Sequence, residues 1–75
     1  MTYSVLPGFN GAKLKELRLE RNWTHRDLAE KVGVVHPNIS RWEGGKSLPR
    51  RVHVEKLAKI FKVKLGSFFG NGGQQ

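Results

Sequence analysis

Apolar side chains recur at intervals of three and four residues along most of this chain, which is the spacing of one face of an α-helix. The pattern is clearest where Leu28 and Val32 are followed, across a glycine-containing turn, by Ile39 and Trp42. Two short helices joined by such a turn can share one buried seam and leave their polar faces free. The spacing therefore predicts a helix-turn-helix unit over residues 24–45.

Capping residues set the boundaries of the first two predicted helices. Asn10 is a suitable N-cap for a first helix that runs to about residue 22. Thr24 and Asp27 form a short version of the capping box, and the carboxylate also complements the helix dipole. We therefore expect a second helix over residues 25–32.

Turn residues and apolar spacing predict three further elements. Gly33 can take the left-handed conformation that ends the second helix, and Pro37 suits the first position of a third helix over about residues 37–44. A fourth helix is predicted from Val54, Leu57, Ala58 and Phe61, and a last helical turn from Val63, Leu65, Phe68 and Phe69. The predicted fold is all-α, a compact domain of five helices in which helices 2 and 3 form the helix-turn-helix.

The two ends of the chain lack this periodicity. Residues 1–9 are predicted to be an N-terminal arm and residues 70–75 a flexible tail, on either side of a domain over residues 10–69. No basic start leads into a long apolar run, and there is no run of roughly 18 apolar residues. We therefore expect a soluble, intracellular protein that does not enter a membrane.

Size and composition narrow the class of function. A chain of 75 residues can form one small core but has little room for an active-site cleft. There is no cysteine, so disulfides and thiolate metal sites are excluded, and His25, His36 and His53 have no metal-ligand spacing. No acid–base pair, nucleophile constellation or phosphate-binding glycine loop is recognisable. We predict that the protein is not an enzyme and takes no metal, cofactor or small-molecule ligand.

The charge distribution favours an anionic partner. The chain has 14 lysines and arginines against six acidic residues, a formal net charge of +8. Residues 36–75 hold eight basic and two acidic residues, a net of +6, whereas residues 1–35 hold six and four, a net of +2. This excess in the half that begins with the third helix favours nucleic acid over an acidic membrane surface.

The outward face of the third helix holds the candidates for reading bases. The guanidinium of Arg41 can bond guanine O6 and N7, or it can contact phosphate or remain in solvent. Asn38 can read adenine or cap the turn. Pro37 can make only an apolar contact, for example to a thymine methyl, and its main role is expected to be starting the helix. His36 can donate to a phosphate or a base, or can be a passive surface residue.

A basic loop follows the third helix. Lys46, Ser47, Arg50 and Arg51 surround Pro49 in this segment. Such a loop can clasp a phosphate backbone, although a run of charge is more commonly a solvated face. Its position directly after the outward-facing helix favours phosphate contact.

One charged pair is predicted inside the domain. Glu43 lies on the inward face of the third helix, where an unpaired carboxylate is costly. Arg18 lies four residues after Leu14, at the edge of the apolar face of the first helix. We predict an Arg18–Glu43 ion pair that ties the first helix to the third.

An ordered series of residues links the chain to a known family. The series is Leu17-Arg18, Leu28-Ala29-Glu30-Lys31, Gly33-Val34, Ile39-Ser40-Arg41, Glu43, Gly45, Pro49, Leu57-Ala58, Phe61 and Val63. It resembles the lambda-repressor/Cro-like helix-turn-helix family, also called XRE-type regulators, over residues 14–69. In that family the third helix enters the major groove and the second helix begins against the phosphate backbone.

This resemblance assigns further residues by position. It implies base contacts from His36, Pro37, Asn38 and Arg41, and a phosphate contact from His25. Thr24 and Ser40 are further predicted phosphate contacts. The resemblance also implies the Arg18–Glu43 pair. The family often has glutamine at His25, a small polar residue at Val35, and glutamine or arginine at His36, so the identity of the contacted bases does not transfer.

Self-association is expected from the aromatic residues near the end of the domain. A domain of this size can hardly bury both Phe68 and Phe69, so one of them is expected to form an apolar patch. Two-fold dimers are the usual arrangement for helix-turn-helix proteins. A homodimer is therefore a further expectation.

Two functional hypotheses follow. The first is a sequence-specific regulator of transcription that binds double-stranded DNA with its recognition helix, about 37–44, in the major groove and acts in the cytoplasm at the nucleoid. The second is an antitoxin- or coactivator-like protein-interaction module with only non-specific affinity for nucleic acid. The preference for one DNA site over random duplex, measured at physiological salt, distinguishes them, because only the regulator is expected to prefer its site by about a thousandfold or more.

Overall fold

The computed structural model describes residues 8–69 as four α-helices followed by one 3-10 turn. The elements are α1 (Gly11–Glu20), α2 (His25–Val32), α3 (His36–Glu43), α4 (Arg51–Phe61) and the 3-10 turn (Leu65–Phe68). The all-α prediction is confirmed, but the fifth helix is only this single turn. Most of the predicted arm and the whole predicted tail lie outside the described residues. None of the described helices is long and apolar enough to cross a bilayer.

The helix ends follow from local capping. Asn10 Oδ1 accepts a hydrogen bond from the backbone N–H of Lys13 at 3.1 Å. Thr24 Oγ1 accepts from the N–H of Asp27 at 3.0 Å, and Asp27 Oδ2 accepts from the N–H of Thr24 at 2.9 Å, so the predicted capping box is complete. The bond from the Thr24 backbone holds the pKa of Asp27 below its usual value. Gly33, with φ 91°, ends α2 in the left-handed conformation.

Three boundaries differ from the predicted ones. α1 ends at Glu20, because the chain turns through Asn22 in a left-handed conformation with φ 60°. α3 begins at His36 rather than Pro37, since proline is accommodated anywhere in the first turn, where N–H groups lack helical acceptors. The basic loop is also shorter than predicted, because Arg51 is already the first residue of α4.

All elements bury apolar side chains in one core. Its fully or almost fully buried members include Leu14, Leu28, Val32, Ile39, Val54, Leu57, Phe61 and Phe68. Burying side chains of this size contributes about 1.5–3 kcal/mol each before the cost of ordering the chain. The core lies under α2 and α3 and therefore fixes their outward faces.

Phe68 corrects one expectation about the end of the domain. Its side chain is fully buried, stacks on Phe9 with ring centroids 5.5 Å apart, and is therefore not available as a surface for self-association. The N–H of Asn10 also donates to the carbonyl of Phe68 at 2.6 Å. Phe69 is half-buried and packs edge-on against Phe9 at 6.0 Å. Phe9, from the predicted arm, supplies the packing partner that lets so small a domain cover both rings.

A close approach fixes α1 against the end of α3. A Cβ atom on Gly11 would overlap the carbonyl oxygen of Trp42 and lie 2.7 Å from that of Glu43. Glycine is therefore the residue that allows the first turn of α1 to lie on the last turn of α3. This contact sets the position of the end of α3, which carries Glu43.

Candidate nucleic-acid interface

The four predicted base-contact residues lie together in the first two turns of α3. His36, Pro37 and Arg41 are exposed, as is Ser40, and Asn38 is half-buried. This outward placement follows from the burial of Ile39 and Trp42 on the opposite side of the same helix. α3 therefore presents a polar face held in place by the core beneath it.

Val35, which sequence reasoning did not assign, stands at the start of this face. It is the N-cap of α3, makes no capping hydrogen bond with its side chain, and is 65% exposed. Serine, threonine, asparagine and aspartate are preferred at N-caps, so an exposed valine there is unfavourable for the isolated fold. A predicted start one residue earlier than Pro37 would have drawn attention to it.

A buried charged cluster holds α1, α2 and α3 together. Arg18 Nε donates to Glu43 Oε2 at 2.6 Å and Arg18 Nη2 donates to Glu43 Oε1 at 3.1 Å. Arg18 Nη1 also donates to the carbonyl of Trp23 at 2.7 Å. The side chains of Arg18 and Glu43 are 8% and 5% exposed. Two parallel bonds of this kind fix orientation as well as distance.

His25 is the third member of this cluster, which the sequence did not reveal. Its Nε2 atom lies 3.1 Å from Glu43 Oε1, so this nitrogen is engaged within the protein rather than directed at a phosphate. The predicted role of His25 as a simple phosphate ligand is therefore incomplete. No local pattern signals the contact, because it depends on how α2 packs on α3. Thr24, just before it, is exposed, but its backbone N–H and hydroxyl belong to the capping box.

The cluster lines one side of an open recess between the first three helices. The recess has a volume of about 290 Å³ and is lined by Lys15, Arg18, His25, Ser40, Glu43 and Gly44. Lys15 is an exposed cation that sequence reasoning did not single out. Its position three residues before Arg18, on the same side of a predicted helix, was the available signal.

The basic loop lies after α3 as predicted, but its members have different surroundings. Lys46 is exposed and follows Gly45, whose φ of 75° turns the chain away from α3. Ser47 is half-buried, and Arg50 is the exposed N-cap of α4. Arg51 Nε donates to Glu55 Oε2 at 2.9 Å in an exposed pair. The free energy of such a surface pair is small, so Arg51 can exchange it for a phosphate.

His53 supports the interface from the inside. Its ring lies 5.4 Å from that of Trp42, and its Nδ1 atom is buried with no hydrogen-bond partner in the described structure. Burial lowers the pKa of His53, and the charges of Lys56 and Arg50 lower it further. The ring of His53 therefore packs α4 against Trp42 of α3.

Comparison with known families agrees with this architecture. A sequence model described as helix-turn-helix matches residues 14–68, which is most of the chain. The chain belongs to the helix-turn-helix family, as the sequence indicated.

Two relatives and one solved structure illustrate the likeness. The chain is 42% identical over 57 residues to an HTH-type transcriptional regulator of Methanocaldococcus jannaschii, a match that covers 76% of this chain and 86% of the relative. It is 38% identical over 53 residues to the HTH-type transcriptional activator BcrR of Enterococcus faecalis; this covers 71% of the chain but only 26% of BcrR. The crystal structure of SinR, a master regulator for biofilm formation, in complex with DNA superposes with a TM-score of 0.69 and 28% identity, over 76% of this chain and 95% of SinR.

Proposed function

We propose that this chain is a sequence-specific regulator of transcription that binds double-stranded DNA with α3 in the major groove. The observation that carries the proposal is the outward face of α3, on which Arg41 is exposed beside His36 and Pro37 while Ile39 anchors the same helix in the core. An α-helix fits the width of the major groove, and a rigidly held arginine can donate two bonds to a guanine. Membership of the helix-turn-helix family and the likeness to DNA-bound SinR support this reading.

Cations after α3 and on α1 supply the expected phosphate contacts. Lys46, Arg50 and Arg51 follow the helix, and Lys15 of α1 lines the recess together with Ser40 and Gly44 at the end of α3. The formal net charge of +8 adds long-range attraction to DNA. Contacts of this kind position a protein on the duplex, whereas base-edge contacts supply the sequence preference. The place of action is then the cytoplasm, at the nucleoid.

A two-fold dimer is a further part of the proposal. Paired helix-turn-helix units read half-sites about one helical turn apart. Sedimentation at tens of micromolar is expected to show two chains on each duplex, and the sample without duplex shows whether the dimer also forms free in solution. A monomer without duplex and one chain on each duplex would remove the dimer while leaving DNA binding intact.

Selection of bound duplexes from a random pool tests the function. The proposal predicts a defined consensus, and a dimer predicts that the consensus is palindromic. A pool that stays random after repeated rounds, while the chain still binds DNA at low salt, would instead favour the protein-interaction module with non-specific affinity.

A further inference from the structure

We propose that the recess between α1, α2 and α3 binds one DNA phosphate between Lys15 and His25, and that filling it takes up one proton on His25. The inference rests on the proposed DNA-binding function and adds a proton requirement to it. The recess is open, is about 290 Å³ in volume, and has Lys15, His25 and Ser40 among its lining residues. A phosphate offers several acceptor oxygens to such donors.

The tautomer of His25 is set by its protein partner. Glu43 is a carboxylate with only 5% of its side chain exposed, and both of its oxygens accept hydrogen bonds from Arg18. Its Oε1 atom also lies 3.1 Å from His25 Nε2. An ionised carboxylate can only accept hydrogen bonds, so Nε2 must carry a hydrogen. In neutral imidazole the other nitrogen, Nδ1, is then an acceptor.

A neutral His25 therefore presents the wrong group to a phosphate. Its side chain is 39% exposed, and because Nε2 lies on Glu43, Nδ1 is the ring nitrogen that remains for a ligand. A lone pair on Nδ1 repels a phosphate oxygen, whereas a second proton turns Nδ1 into a charged donor while Nε2 keeps its bond to Glu43. Binding of the phosphate and binding of the proton are thus coupled.

The other charged groups around the recess are compatible with this coupling. Lys15 and Arg18 face it from α1, and Glu43 faces it from α3. Arg18 directs three of its five N–H groups to Glu43 and to the carbonyl of Trp23, and its side chain is only 8% exposed. The exposed Lys15 is therefore the more accessible cation for the ligand. A ring that carries hydrogen on both nitrogens donates to Glu43 through Nε2 and to an incoming phosphate through Nδ1.

Proton uptake can be measured directly on the whole chain with a short random-sequence duplex. Titration calorimetry in buffers of different ionisation enthalpy gives the number of protons taken up on binding, and anisotropy gives the Kd between about pH 6 and pH 8 at fixed ionic strength. One coupled proton makes the Kd rise up to about tenfold per pH unit on the alkaline side. His25→Gln keeps a donor for Glu43 but cannot titrate, so this variant is expected to lose the coupled proton uptake and the rise of Kd with pH that it causes.

Matched variants make the result decisive. His36→Gln removes the exposed histidine of α3 and is expected to leave the proton uptake by His25 unchanged. Lys15→Gln is expected to weaken binding and to reduce the salt slope by about one, whereas Lys59→Gln on α4 leaves both unaltered. Thermal melts at each pH confirm that every variant is folded where it is titrated.

The outcomes separate this inference from the proposed function. If the chain binds duplex but His25→Gln takes up as many protons as the wild type, the proton-linked site is wrong and DNA binding stands. If the wild type does not bind duplex at any pH or salt concentration, the proposed function fails as well.

Discussion

Arg18 Nε and Glu43 Oε2 are 2.6 Å apart in a pair that is almost fully buried, and this contact joins α1 to the end of α3. The contact constrains how α1 and α3 pack, because Gly11 lets the two helices approach closely at the same place. The orientation of the outward face of α3 therefore depends on this buried charged pair.

Glu43→Gln is expected to destabilise the fold by about 3 kcal/mol, because it leaves the buried guanidinium of Arg18 without a countercharge. For a domain of this size that is a fall in Tm of about 12–24 °C, at about 4–8 °C per kcal/mol. Urea unfolding of Glu43→Gln, Arg18→Met and the double variant gives the coupling energy. Glu55→Gln, which breaks the exposed pair with Arg51, serves as the control and is expected to cost less than about 0.5 kcal/mol. Equal effects in the two glutamates would contradict a structural role for the buried pair.

Gly11→Ala is expected to lower stability by more than about 1 kcal/mol, although alanine is the better helix former. The added Cβ meets the backbone carbonyls of Trp42 and Glu43, which cannot move without shifting the end of α3. Gly66→Ala is the matched control, because a Cβ there meets nothing within 4 Å. Chemical denaturation of both variants checks the prediction, and a Gly11→Ala protein as stable as Gly66→Ala would show that the helices are not in this close contact.

Val35→Ser is expected to raise stability by about 1 kcal/mol, because serine can cap the N–H groups at the start of α3 whereas valine does not. Val52→Ser is the control, since Val52 is similarly exposed but lies inside the first turn of α4. Differential scanning calorimetry of the two variants distinguishes capping from a general benefit of removing exposed apolar surface. The capping explanation fails if both substitutions raise the Tm equally.

The lowered pKa of His53 predicts a stability that falls in acid. The unfolded chain protonates this histidine near its ordinary pKa of about 6.5, before the folded protein does, so proton binding favours unfolding. The contribution of His53 is therefore complete above about pH 6.5 and is lost as the pH falls towards the lower pKa of the folded state. His53→Phe, which keeps a ring against Trp42, is expected to show a flatter dependence of the urea midpoint on pH. His36→Gln should keep the wild-type slope, and identical slopes for wild type and His53→Phe would refute the assignment.

The sequence predicted what local spacing controls. The periodicity of Leu28, Val32, Ile39 and Trp42 defined α2 and α3, and the Thr24–Asp27 box set the start of α2 correctly. The single 3-10 turn at the end was overestimated as a helix, since four apolar residues in a short segment do not reveal which turn they form.

What the sequence did not reveal depends on tertiary packing. His25 reaches Glu43 because α2 packs on α3, and Phe68 is covered by Phe61 of α4 and by Phe9 from the other end of the chain. Lys15 joins the recess for the same reason. The Arg18–Glu43 pair was an exception, because an acidic residue on an inward face requires a cation and the first helix offered one at the right edge.

In the proposed complex, α3 reads the DNA sequence while the neighbouring cations hold the phosphate backbone. The ratio of the Kd values for a selected duplex and a scrambled one at physiological salt tests this division, for the wild type, Arg41→Ala and Lys46→Ala. We expect a ratio of about a thousandfold or more for the wild type, a loss of preference at one position per half-site in Arg41→Ala, and a nearly uniform weakening in Lys46→Ala. A wild-type ratio close to one, or the same change in preference from both variants, would contradict this division.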